Sequence, residues 1–317
     1  MTLRQNEISR SLIAPAKIVV ATDLTDTDYL LPHAVAQAKA GGASIILVHA
    51  VLPHESVPME SGPIPYYDPL RLDRDARLML ENLARDVRDQ GVECATAVRH
   101  GFVPDVVTEV VSNAGAGRLI IGTHGRRGLK KFVLGSIARQ LLEIVDVPVC
   151  TVGPRAHKGV TALPGAILHP VSLAGLHEAS AALTFGLSRQ FRSQVLLLHV
   201  VAPTPPVARD PAGAVTTATD QLQRLIPPGL EAGTQVRVRI AVGSVVSEIL
   251  SVAEEAGAGL IVLGVHASVH SWLPGTEPAA YKILVSAPCP VLSLRVSPGL
   301  LDVRAGDKEE KTPVIIG

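Results

Sequence analysis

The chain has 317 residues, enough for two domains of ordinary size, each with its own core. Apolar residues make up 47% and charged residues 18%, with a mean hydropathy of +0.31, a balance that suits parallel strands buried on both faces. The 29 basic and 29 acidic side chains cancel, so no net field draws the chain to nucleic acid or an anionic membrane, and 3% aromatics is too little for a base-stacking platform.

Met1–Glu7 lacks the apolar core of a signal peptide, and no run approaches the roughly 18 uninterrupted apolar residues of a membrane span. A cytoplasmic protein is expected. The first strand reads Lys17-Ile-Val-Val-Ala-Thr22-Asp23, followed by a helix over about Tyr29–Ala40 and a second strand over Ala43–Ala50. A charged helix (Leu70–Gln90) leads to a third strand at Glu93–Arg99. Gly101-Phe-Val-Pro104-Asp105 then opens a helix, with proline in its first turn and an aspartate suited to the helix dipole. Leu119-Ile-Ile is the fourth strand and Val147–Val152 the fifth, with Gly122–Ser136 and a helix from Ile137 between them.

The same order then repeats. Ala166–Pro170, a helix near His177–Arg189, Gln194–Val200 and Thr234–Ala241 are followed by a helix opening at Gly243-Ser-Val-Val-Ser-Glu248. Leu260–Gly264 and Cys289–Leu294 complete the second copy. Gly122 and Gly264 stand 142 residues apart, as do Pro148 and Pro290, whereas His49 and His199 stand 150 apart. The surplus of the first copy falls in His54–Pro69. With Pro53 this stretch carries Pro58, Pro63, Pro65, Pro69 and Tyr66-Tyr67, and reads as a surface flap or interaction segment. Alternating strands and helices imply βαβ units and a parallel sheet, twice over. The expected domains are 15–154 and 163–298, joined near Arg155–Pro164, with 1–14 and 299–317 as tails. Cys94, Cys150 and Cys289 lie far apart without a CxxC pair, and Cys150 and Cys289, inside apolar runs, read as buried structural thiols.

The most informative stretch is Gly122-Thr-His-Gly125-Arg-Arg-Gly128-Leu-Lys-Lys-Phe-Val-Leu-Gly135-Ser136. A glycine-rich loop between a strand and a helix offers backbone N–H groups and a helix N-terminus to an anion. Glycine permits positive φ and lets a phosphate approach where a Cβ would intrude. Arg126, Arg127, Lys130 and Lys131 add positive charge along the loop, at least two of them read as solvated surface.

Gly122-x2-Gly125-x9-Gly135-Ser136 resembles the nucleotide-binding signature of the universal stress proteins. Thr22-Asp23-Leu24-Thr25, the Leu-Val-His-Ala turn, the Gly-x-Val-Pro-Asp helix start and the Val-Pro-Val closing strand extend the resemblance across both halves. It implies two five-stranded parallel-sheet, doubly wound domains of the adenine-nucleotide α-hydrolase-like type, with ATP, with or without magnesium, at the strands' carboxyl ends. By the same resemblance Ala21, Thr22 and the Ala50 backbone frame adenine, and Asp23 sits beside the ribose and any metal–phosphate group. Ile121 and Gly122 approach the ribose, while Gly125, Gly135, Ser136 and Ile137 present donors to the phosphates. The closing strands are expected to pair within the chain as a pseudo-dimer, with further self-association left open.

The second copy departs from this pattern. Ungapped alignment sets Ala267 at Gly125, Glu277 at Gly135, Pro278 at Ser136 and Ser172 at Asp23. A methyl, a like charge and a missing N–H would each oppose phosphate. Sliding Gly275-Thr276 into register still leaves Ala267. His169, His199, His266 and His270 fall at strand carboxyl ends, and His266 and His270 have a spacing usable for a metal on a helical turn. Scattered structural histidines are the favoured account, His199 matching His49.

The resulting expectation is an ATP-binding regulatory protein of the stress-response type, nucleotide in the first domain and the second a scaffold or altered pocket. No catalytic residue is assigned: GxSxG and HExxH are absent, and Ala21–Asp26 lacks the glycine pair of the PP-loop enzymes of the same superfamily. Slow ATP hydrolysis, or a module binding a non-nucleotide small ligand or metal, are the alternatives.

Overall fold

The computed structural model describes residues 11–52, 69–123, 134–156, 164–173, 178–204, 210–228, 230, 234–266 and 278–296. The first half contains β1 (Lys17–Ala21), α1 (Thr27–Gly41), β2 (Ser44–Val51), α2 (Pro69–Asp89), β3 (Cys94–His100), α3 (Val103–Ala114), β4 (Arg118–Gly122), α4 (Ser136–Ile144) and β5 (Val149–Val152). The second contains β6 (Ala166–Pro170), α5 (Glu178–Phe191), β7 (Gln194–Val201), α6 (Pro211–Gln223), β8 (Val236–Val242), α7 (Val245–Glu255), β9 (Leu260–His266), α8 (Ala279–Ser286) and β10 (Val291–Val296). The repeat expected from sequence is present strand for strand. The sequence reading missed α6, the counterpart of α2.

The ten strands among the described residues form one sheet in the order β3-β2-β1-β4-β5-β10-β9-β6-β7-β8. Pairing is parallel within each half and antiparallel only where β5 meets β10. Central strands are apolar toward both faces, as Ile18, Val19 and Val20 illustrate, all fully buried because helices cover both sides. One core layer joins α3 and α4 to α7 and α8 across the junction, and the other joins α1 and α2 to α5. The chain is therefore a doubly wound α/β pair fused as a pseudo-dimer with continuous cores.

The junction has internal symmetry. Cys150 lies opposite Leu292, and these are repeat-equivalent positions, so the pseudo-two-fold axis passes between them. Around the axis Tyr281 donates its hydroxyl to Glu143 Oε1 (3.1 Å), and Arg139 sits over the Tyr281 ring, 5.0 Å from its centroid. Arg295 bonds Glu143 O and Asp146 Oδ1, while Arg155 bonds Glu254 and donates to Ser286 O (3.0 Å).

The segment before β1 ties the halves together on the opposite face. Arg118, fully buried, donates from Nη2 to Leu12 O (2.9 Å) and Ile13 O (3.1 Å), and from Nη1 to Gln37 Oε1 (2.9 Å). Ile13 fills a notch at Gly186 of α5, where an added Cβ would lie 2.2 Å from Ile13 Cδ1. Burial lowers Arg118 to about 10, so it remains a cation at neutral pH, its two terminal nitrogens held by neutral oxygens while Nε has no hydrogen-bond partner among the described residues.

Candidate functional site

In each half the strand order reverses beside the first strand, here between β1 and β4. Doubly wound sheets hold ligands in the crevice outside the strand carboxyl ends at this point. Ala21 ends β1 with Ile121 of β4 as its partner on one side and Val48 of β2 on the other. Gly122 ends β4, and Thr22 N–H donates to Val48 O (3.0 Å) two residues before Ala50. Ala21, Thr22, Asp23, Ala50, Ile121 and Gly122 thus lie on one rim.

The start of α4 is anchored to the same rim. Buried Thr123 donates its N–H to Val152 O (3.2 Å), and Gly135 N–H donates to Thr123 O (3.0 Å). Gly135 is the N-cap in extended conformation and makes no side-chain cap bond; Ser136 and Ile137 follow in the first turn, with Ser136 exposed. Orphan first-turn amides and the helix dipole make such an end a seat for an anion. Gly125 and the loop cations Arg126, Arg127, Lys130 and Lys131 lie outside the described residues.

The turn from β1 to α1 is held by its own side chains. Asp23 Oδ1 accepts from Thr25 N–H (2.9 Å) and Thr25 Oγ1–H (2.6 Å). Thr22 Oγ1 accepts from Leu24 N–H (2.9 Å) and donates to Asp26 Oδ1 (2.5 Å). These bonds hold Leu24 at φ 70°, left-handed backbone that a leucine rarely adopts and that accumulates at ligand sites. Burial and the Asp23 charge push the Asp26 carboxyl up to about 6, against the lowering bond from Thr22. Burial also raises the Tyr29 phenol, with smaller contributions from Asp26 and Asp23. Sequence reasoning missed Asp26 and Tyr29. An aspartate just before a helix reads as an N-cap, yet this one turns back to Thr22 and makes no cap bond.

The second half provides an internal comparison. His49 Nδ1–H donates to Thr22 O (2.8 Å) and His199 Nδ1–H to Val171 O (2.8 Å), so both rings perform the same structural tie. His169 is fully buried, its Nδ1–H on Val262 O (2.9 Å) and Nε2 3.5 Å from Ser180 Oγ. It is a core histidine and does not open onto the crevice rim. The His266 side chain and His270 lie outside the described residues, as do Ala267 and Glu277. Among the described residues no cluster of three metal-ligating side chains occurs. Pro278 is the N-cap of α8, the structural place of Gly135, so α8 begins one residue later than the ungapped alignment implies. Cys150 and Cys289 are buried free thiols, as expected; burial raises both, Cys289 to about 12.

Strand order and switch point define a doubly wound α/β protein with two crevices. The chain belongs to the universal stress protein family, in tandem two-module form: the model of the universal stress protein family matches residues 16–153 and again 166–295. The chain is similar to universal stress protein MJ0531 of Methanocaldococcus jannaschii, 27% identical over 139 residues that cover 43% of this chain and 81% of that protein. It also resembles universal stress protein MJ0577 of the same organism, 24% identical over 82 residues, 26% of this chain and about half (51%) of that protein. Among solved structures it matches a universal stress protein of Archaeoglobus fulgidus at a TM-score of 0.66 and 16% identity, covering 88% of this chain and 98% of that one.

Proposed function

We propose that the protein is a nucleotide-binding regulatory protein that holds ATP in its first module, at the β1/β4 switch point, with the second module as scaffold or altered pocket. The observation that carries this reading is the return of the chain to Thr123 at Gly135. It sets the open amino end of α4 beside the carboxyl end of β4. Gly135, Ser136 and Ile137, with Gly125, would hold phosphates. Asp23 and the Ile121–Gly122 backbone would approach the ribose, and Ala21, Thr22 and Ala50 the base. The fit is supported by Gly135, which leaves the helix end without a side chain, and by exposed Ser136, which adds a hydroxyl donor. Magnesium, where present, would neutralise phosphate charge. Family membership supports the same reading.

The second module lacks matching chemistry. Ser172 stands for Asp23, and the α8 N-cap is Pro278, whose ring fills the place that Gly135 leaves without a side chain at α4. Binding without a committed chemical step makes ligand-dependent shape or association the output. A slow hydrolase is the second reading, and sustained ADP release on incubation with ATP separates the two.

Gly135→Glu tests the assignment. It sets at the helix end the residue that the second module carries in alignment, at a backbone conformation (φ −58°, ψ 145°) open to any side chain. Calorimetry is expected to show at least a tenfold loss of ATP affinity, from lost approach and like charge. Unchanged affinity would overturn the site.

A further inference from the structure

The turn that carries Asp23 contains a second carboxyl that the nucleotide reading does not use. Asp26 is 5% exposed, and its Oδ1 lies 2.5 Å from Thr22 Oγ1. Among the described residues no lysine or arginine pairs with it; the titratable groups around it are Asp23 on the same turn, Tyr29 on α1 and, beyond Thr22, His49 of β2. Thr22 therefore links three things: the Asp26 carboxyl through its hydroxyl, the strained Leu24 backbone through the N–H it accepts, and the β2 end through its carbonyl.

We propose, building on the nucleotide reading of the first module, that Asp26 is the proton-linked positioning residue of the site: it fixes Thr22, and it takes up a proton from solvent when an anionic nucleotide enters beside Asp23. The physical reason is additive. A buried carboxylate next to one negative charge, and with no cation paired to it among the described residues, gains proton affinity with each further negative charge and with each water excluded. Asp26 already titrates near 6 without ligand, so a modest further rise moves it through the neutral range. Neutral Asp26 keeps its hold on Thr22, because a carboxylic acid both donates and accepts.

The test is calorimetric titration of the full chain with ATP at pH about 6.5, in two buffers of different ionisation enthalpy, for the wild type and Asp26→Asn. The nucleotide's own protonation is common to both proteins and drops out of the difference. The wild type is expected to take up about half a proton more per ATP than Asp26→Asn. Between pH about 8 and 5.5 the ratio of wild-type to variant affinity is expected to rise, tenfold for each unit by which ligand raises Asp26. Thr22→Val, which keeps shape and removes the hydroxyl that lowers Asp26, is expected to move maximal uptake to higher pH. Equal proton uptake and parallel pH profiles, with ATP still bound, would overturn the proposal alone. Absence of ATP binding by the wild type at every pH would overturn the nucleotide reading beneath it.

Discussion

At the scale of single residues, the two modules act as controls for each other. His49 and His199 make the same 2.8 Å bond to the residue that follows the first strand of their module. Each replacement by alanine is expected to cost about 1 kcal/mol of stability in urea unfolding, the ordinary worth of such a bond. Only His49→Ala should also weaken ATP binding, because only Thr22 lies in the proposed site. Asp26 gives a pH prediction whose sign follows from its shift. Folding raises its proton affinity from 3.8 to about 6, so the native state binds the extra proton between those values. Its stabilising contribution is present below the unfolded value and is lost as pH rises through about 6. Asp26→Asn is therefore expected to be more stable than the wild type at pH about 7, by up to about 3 kcal/mol, with the gap closing near pH 4. Half-buried His33, held below its ordinary value by desolvation, pulls the other way as pH falls, but equally in both proteins, and cancels in the comparison.

At the scale of elements, the segment before β1 acts as a staple between α1 of one module and α5 of the other. Arg118→Ala leaves Leu12 O, Ile13 O and Gln37 without their buried donor, and is expected to cost about 3 kcal/mol. Gly186→Val drives side-chain atoms into Ile13 and is expected to cost about 1–3 kcal/mol. In both variants, hydrogen exchange should quicken at residues 11–14 before it does in β1. Neither the burial of Arg118 nor the need for glycine at position 186 was legible in the sequence. An arginine opening a strand looks solvated until a distant segment covers it. The helix Pro211–Gln223 escaped notice for a related reason: its buried positions are Ala218 and Leu222, and small and polar residues fill most of the rest, so it carries little apolar periodicity. The central strands were legible because both faces are covered, which makes them apolar runs such as Ile18–Val20, whereas edge strand β8 showed as the alternation Val236-Arg-Val-Arg-Ile.

At the scale of the whole molecule, the junction is pseudo-two-fold, with Cys150 and Leu292 opposite each other in a single chain. Because both halves belong to one chain, nothing in the junction requires them to be alike in sequence. The framework survives in both, in strand order and in the histidine tie, while the residues expected to meet phosphate survive in one. The contrast was readable from aligned residues, Gly125 against Ala267 and Asp23 against Ser172, but at the helix start the ungapped register is one residue off, since Pro278 takes the place of Gly135. The proximity of those residues was not readable, since what ties Gly135 to the rim among the described residues is its bond to Thr123, a residue the motif does not specify. One module fit for phosphate and one unfit for it fix the number of sites. Calorimetric titration of the intact chain with ATP is predicted to give one site per chain, abolished by Gly135→Glu. Two equivalent sites per chain, or one site indifferent to that substitution, would contradict it.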